Sequence, residues 1–108
     1  MSVSQVEILY LRGCPNMLQT VTLVQDVVSD LRVDVDLHFV EVVDAEDAGK
    51  RRFLGSPTVR VDGTDVEPGA DRRGTYVFAS RVYRSGQGQL GWPEGKWIRA
   101  ALERRTAS

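Results

Sequence analysis

The sequence predicts a single α/β domain with the element order β-α-β-α-β-β-α, a four-stranded mixed sheet flanked by helices. Three observations carry this. A strand-forming run at 6–11 is followed by a long helical period and then a second strand-forming run, the pattern of a parallel right-handed crossover unit. Pro57 opens a third short strand, which stops at Asp62-Gly63. A chain of 108 residues can bury one core but not two, and neither an internal repeat nor a linker divides it. The whole of 1–108 is therefore read as one domain, with an ordered core over 6–105.

Each element has a local cause. Val6-Glu7-Ile8-Leu9-Tyr10-Leu11 is rich in strand formers, and Arg12-Gly13 stops it. Pro15 suits the first helical position, where no amide is needed. From there Met17, Val21, Val24, Val28 and Leu31 recur at helical spacing, with Leu18 and Val27 widening the stripe. That period outweighs the β-branched content of the segment. The second strand covers 34–43, and its nearly continuous apolar end is that of a strand covered on both faces. Asp44 caps a short helix over 45–53, with Gly55 as its stop. Residues 64–75 are polar and turn-rich, and loops of that length in a small domain tend to be functional or mobile. Residues 76–84 read as the fourth strand, antiparallel to the third, and 85–92 as a loop. Pro93 begins a last helix with Trp97, Ile98, Ala101 and Leu102 on its apolar face. Arg104 and Arg105 lie at its C-terminal end, where cations are favoured, and 106–108 fray.

Composition excludes several function classes. Lys+Arg 14 against Asp+Glu 15 gives a formal charge of −1, so no global field recruits nucleic acid or a membrane surface, and neither is expected as a partner. The groups Lys50-Arg51-Arg52 and Arg72-Arg73 read as solvated surface. The single cysteine excludes an internal disulfide. Residues 1–5 lack the basic and apolar regions of a signal peptide, and no apolar run approaches the roughly 20 residues of a membrane span. A soluble, cytoplasmic protein is the expectation.

Cofactor and metal motifs fail on context, so none is expected. Gly86-Gln87-Gly88-Gln89-Leu90-Gly91 has the spacing of a dinucleotide fingerprint, but Trp92-Pro93 follows at once and no βαβ unit remains. Asp62, Asp65, Glu67 and Asp71 lack the twelfth-position glutamate of a calcium loop. His38 is the only histidine and has no second to share a metal.

What remains is Cys14. A thiol at a strand-to-helix turn faces unpaired helical amides, and the helix dipole favours the thiolate. In this element order, Cys14-Pro15 and Ser56-Pro57-Thr58 come to the same end of the sheet. That arrangement resembles a thioredoxin-like domain, in which a nucleophilic cysteine opens the first helix and a cis-proline faces it. Several runs carry the resemblance further: Gly13-Cys14-Pro15-Asn16, Phe53-Leu54-Gly55-Ser56-Pro57-Thr58, Asp65-Val66-Glu67-Pro68, Arg81-Val82-Tyr83-Arg84 and Trp97-Ile98-Arg99-Ala100-Ala101-Leu102. They are similar to small thioredoxin-fold proteins labelled alkylmercury-lyase-like or DF-family (seleno)proteins. The resemblance implies thiol or selenol chemistry, or soft-metal handling. Cys14 is then the catalytic residue, and Arg12, Gly13, Pro15, Asn16, Ser56, Pro57 and Thr58 shape a substrate groove.

The departures narrow the chemistry. A dithiol oxidoreductase needs a resolving cysteine, usually three residues on, where this chain has Met17. Related proteins can carry a cysteine just before the Arg-x-Tyr-Arg run, where this chain has Ser80. An internal dithiol is excluded, and a carbon–mercury lyase would need further sulfur ligands. Three readings stay open. Cys14 is a monothiol nucleophile in thiol–disulfide exchange, resolved by an external small thiol. Alternatively the domain is a non-redox binding module with Cys14 structural and Arg72 and Arg73 as partner contacts. In the third, Cys14 forms an intermolecular disulfide or holds a soft metal, with organomercurial handling as its variant. The partner is a small thiol or a protein thiol or disulfide, and the chain is a monomer or homodimer.

Overall fold

The computed structural model describes residues 3–86 and 88–107, with 105–107 as backbone. Met1, Ser2, Gln87 and Ser108 lie outside the described residues. They belong to the N-terminal stretch, the glycine-spaced loop and the C-terminal end read above.

The first crossover forms as a parallel pair. β1 (Ser4–Tyr10) and β2 (Val35–Glu41) run in register from Ser4 opposite Val35 to Tyr10 opposite Glu41, joined through α1 (Met17–Leu31). After α2 (Ala45–Lys50), β3 (Thr58–Val61) adds antiparallel to the other edge of β1. It reverses at once into β4 (Thr64–Asp65). Asp62 and Gly63 have φ of 50° and 85°, the pair of positive angles that a two-residue type I′ hairpin turn demands. The sheet order is β2-β1-β3-β4, a four-stranded mixed sheet. A separate hairpin, β5 (Tyr83–Ser85) with β6 (Gly88–Leu90), precedes α3 (Gly95–Ala107).

Strand alternation then assigns the layers. Val6 and Ile8 of β1 and Val59 and Val61 of β3 face α1 and α3, where Val24, Val27, Ile98, Ala101 and Leu102 complete the main core. Leu9 points to the opposite face and packs with Val42, Ala48 and Phe53 beside α2. Helices thus flank the sheet on both faces.

Several boundaries differ from expectation. α1 begins at Met17 rather than Pro15, because the Met17 amide is still held in a turn by the Cys14 carbonyl (3.3 Å). Leu18 is 79% exposed: it lies on the outer line with Thr22, Gln25 and Ser29 rather than widening the buried stripe. β2 is an edge strand with Phe39 half exposed, so it is not covered on both faces. α2 stops at Lys50, since Arg52 turns into the left-handed region at φ 54°. The fourth sheet strand is Thr64–Asp65 and not 76–84, because the Asp62-Gly63 turn closes the hairpin before the longer loop begins. α3 starts at Gly95, two residues after Pro93, and its backbone remains helical through Ala107.

Candidate functional site

Cys14 sits between two consecutive turns at the end of β1. Its amide donates to the Leu11 carbonyl (3.1 Å), with Gly13 at φ 78° making the reversal possible. Its own carbonyl accepts from Met17. The thiol is half-buried and is not in a disulfide. Arg12 and Gly13 before it and Pro15 after it are exposed, and Asn16 is half-buried. Asn16 is the N-cap of α1 but makes no side-chain capping bond. Its amide instead packs on the backbone of Gly91, where any added Cβ would collide with it. Arg12 reaches toward Glu41, with Nε 3.7 Å from the carboxylate. Its charge is therefore shared with an acid.

The second half of the expected groove lies deeper. Ser56, Pro57 and Thr58 are all buried. Ser56 Oγ accepts a hydrogen bond from the Leu11 amide (3.0 Å), and this bond ties the Cys14 turn to the Ser56–Pro57 segment. The Ser56–Pro57 peptide is cis. The backbone of Ser56 is already occupied by the chain itself. Its amide donates to Ala79 O (2.9 Å), and its carbonyl accepts from the Arg81 amide (3.0 Å). With Val77 N donating to Phe53 O (3.0 Å), residues 77–81 lie along 53–57 as a short parallel strap, bridged at Ser56 and Ser80. This strap is the fate of much of the strand expected at 76–84.

Arg81 fastens the strap. It is only 3% exposed, and its guanidinium forks onto Asp65 at 2.7 and 3.2 Å. It also reaches Glu67 (2.6 Å) and Thr58 Oγ1 (3.0 Å), leaving only the buried Nε without a partner. The guanidinium carbon lies 4.3 Å from the ring centroid of Tyr83, and the Tyr83 hydroxyl donates to the Pro57 carbonyl. Burial pushes the Tyr83 hydroxyl well above the ordinary phenol value, so it is a neutral donor. Burial alone would lower the Arg81 pKa, but Tyr83, Asp65 and Glu67 raise it above its usual value. Gly55 is required beside it: at φ 121° an added Cβ would lie 2.8 Å from Arg81 Cβ.

The two short runs Asp65-Val66-Glu67-Pro68 and Arg81-Val82-Tyr83-Arg84 therefore meet in one buried knot on Thr58 and Pro57. The sequence weighed Asp65 and Glu67 as cation ligands and placed them in a run that carries the resemblance, without pairing them to Arg81. The signal available was the spacing of two acids, two residues apart, ahead of an arginine in a run of strand formers, Val82 and Tyr83. Arg73, expected as a partner contact, is tied to Glu67 (3.0 Å), whereas Arg72 is exposed on a short 3₁₀ turn, Ala70–Arg72. His38 shares a hydrogen bond with Gln5 (2.9 Å) on the exposed side of β2. Among the described residues, no cluster of three His, Cys, Asp or Glu side chains could hold a metal ion, and no helix is long and apolar enough to cross a membrane.

The geometry can be set beside known proteins. No protein-family model matches the chain, and no curated protein matches its sequence significantly. Solved structures do match in three dimensions. A selenoprotein W-related protein from Vibrio cholerae has a TM-score of 0.53 at 15% identity, covering 96% of this chain and 98% of that chain. A protein from Bordetella parapertussis has a TM-score of 0.53 at 14% identity, covering 96% and 99%. The architecture is consistent with a thioredoxin-like fold. At such identities the likeness is one of fold alone, and neither protein carries an alkylmercury-lyase-like name.

Proposed function

We propose that this thioredoxin-like protein uses Cys14 as a monothiol nucleophile in thiol–disulfide exchange, with an external small thiol completing the cycle. The supporting observation is the half-exposed Cys14 in an open turn whose backbone is held from both sides. In the first step the Cys14 thiolate attacks one sulfur of a disulfide, forms a Cys14 mixed disulfide and releases the other half as a thiolate. An external thiol then attacks the substrate sulfur of that adduct, forms a new small disulfide and returns the Cys14 thiolate. No second thiol of this chain takes part, since Met17 and Ser80 stand where one would be required. Arg12, Gly13, Pro15 and Asn16 border the approach, while the Ser56 hydroxyl ties the turn to the buried Pro57–Thr58 segment.

The test is intact mass of the folded protein after exposure to a pool of small disulfides. One mixed disulfide per chain is expected, removed by added small thiol and absent in Cys14→Ser. Modification that appears only on unfolding would overturn the proposal. It would favour instead a non-redox binding module with Cys14 structural. That second reading draws on the strap that occupies the Ser56 backbone and on its exposed apolar side chains, Phe78 and Val82. Soft-metal or organomercurial handling would have to rest on Cys14 alone among the chain's thiols.

A further inference from the structure

On the α2 side of the sheet, four arginines from three parts of the chain converge on one cavity of about 210 Å³. Arg51 and Arg52 come from the end of α2, Arg60 from β3 and Arg73 from beyond the 3₁₀ turn, with Tyr76 completing the wall. Such convergence is unexpected in a chain whose formal charge is −1. Two of the four have carboxylate partners: Arg51 pairs with Asp47 (2.9 Å) and Arg73 with Glu67 (3.0 Å). Among the described residues, Arg52 and Arg60 have no carboxylate within ion-pair distance.

Arg60 shows most clearly what the site lacks. Its guanidinium is half-buried and donates only to backbone carbonyls, those of Arg51 (2.6 Å) and Arg52 (3.1 Å). Asp65 stands directly opposite it in the β3–β4 ladder, where an ion pair would ordinarily form. The Asp65 carboxylate is drawn away by Arg81, which holds both its oxygens. Glu7, opposite on β1, attracts Arg60 only from a distance. Burial lowers the Arg60 pKa, and the neighbouring Arg81 and Arg51 lower it further against the attraction of Asp65 and Glu7. A desolvated cation with neutral acceptors and like-charged neighbours is stabilised most by an anion that enters the cavity.

We propose that this cavity is a binding site for a small molecule carrying a multiply charged oxyanion group, a phosphate or a cluster of carboxylates. Guanidinium forks match the oxygen geometry of both groups, and Tyr76 adds a hydroxyl and a ring face. Size restricts the ligand: the cavity is smaller than the roughly 300–1,000 Å³ typical of drug-sized ligands, so a small anion fits and a dinucleotide does not. Asp65 and Asp71 also line the cavity and oppose an anion; Asp65 is held by Arg81, so Asp71 is the lever for the test. The inference is independent of Cys14.

Pyrophosphate and citrate serve as probes, titrated into the isotopically labelled full chain at a fixed ionic strength of about 0.15 M set with chloride. Saturating amide shifts confined to residues around Arg52, Gly63 and Tyr76 are expected with at least one of them. Saturation by pyrophosphate alone assigns the group as phosphate, and by citrate alone as polycarboxylate. Arg52→Glu reverses an exposed side chain with no ion-pair partner, so the fold is retained, and it should weaken binding about tenfold or more. Asp71→Asn should tighten binding, and Cys14→Ser should leave it unchanged. Shifts that fail to saturate with either probe would overturn the proposal. So would equal affinity in the wild type and Arg52→Glu.

Discussion

The turn that carries Cys14 and the knot around Arg81 are joined by one hydrogen bond, Leu11 N to Ser56 Oγ, yet they are built on opposite principles. Around Cys14 the chain is held by its own backbone through two successive turns, and the neighbouring side chains Arg12 and Pro15 face solvent. Around Arg81 almost every bond is made by a buried side chain that recruits a group distant in sequence: Asp65, Glu67, Thr58 and, through Tyr83, the Pro57 carbonyl. The difference separates reactivity from rigidity. A thiol that must meet another molecule needs an open, locally closed turn. The surface behind it needs groups that cannot relax into water, and the low dielectric around Arg81 makes each of its pairs costly to break. A further consequence is that the residues named as groove, Ser56, Pro57 and Thr58, form part of the support.

The contrast can be broken most forcefully at Arg81. Arg81→Met removes a buried cation, strands the Asp65 carboxylate and leaves Glu67 only its pair with Arg73, so urea unfolding should show a loss of about 3–5 kcal/mol. A loss under about 1 kcal/mol would mean that the knot contributes no more than a surface ion pair. Tyr83→Phe is a finer probe. It deletes one hydroxyl and leaves the buried Pro57 carbonyl without its donor, for an expected cost of about 1–3 kcal/mol in the same measurement. If the strap depends on this bond, amide hydrogen exchange at Ser56 and Arg81 should accelerate together in Tyr83→Phe. At the other pole, Cys14→Ser should change stability by no more than about 0.5 kcal/mol, because the thiol makes no bond that holds the turn. A markedly larger loss would move Cys14 from the reactive side of the comparison to the structural side.

Where the sequence was legible, the deciding interactions were local. Arg12-Gly13 ending β1, the 3.6-residue recurrence through α1 and Asp62-Gly63 ending β3 each depend on a few adjacent residues. The structure keeps all three, with shifted boundaries. Leu18 misled because one helical position decides between core and solvent, and apolar character alone does not say which side of the stripe a residue takes. The run 76–84 misled for a different reason. Its strand-forming composition is satisfied by a strap along Ser56 and a short separate hairpin, while two residues, Thr64 and Asp65, supply the fourth strand. Alternation of residue types cannot identify which edge a strand will meet.

By itself, then, the sequence determined a mixed α/β class, a parallel crossover, a single thiol at the end of the first strand and the absence of any resolving cysteine. These follow from periodicity, turn chemistry and counting, none of which needs a distant partner. Only the tertiary structure decided that Asp65 and Glu67 pair with Arg81 rather than face solvent. The same holds for the covered backbone of Ser56 and for the four arginines that gather on one cavity. Each of those outcomes depends on burial, and a charge responds to burial only after remote segments have displaced its water.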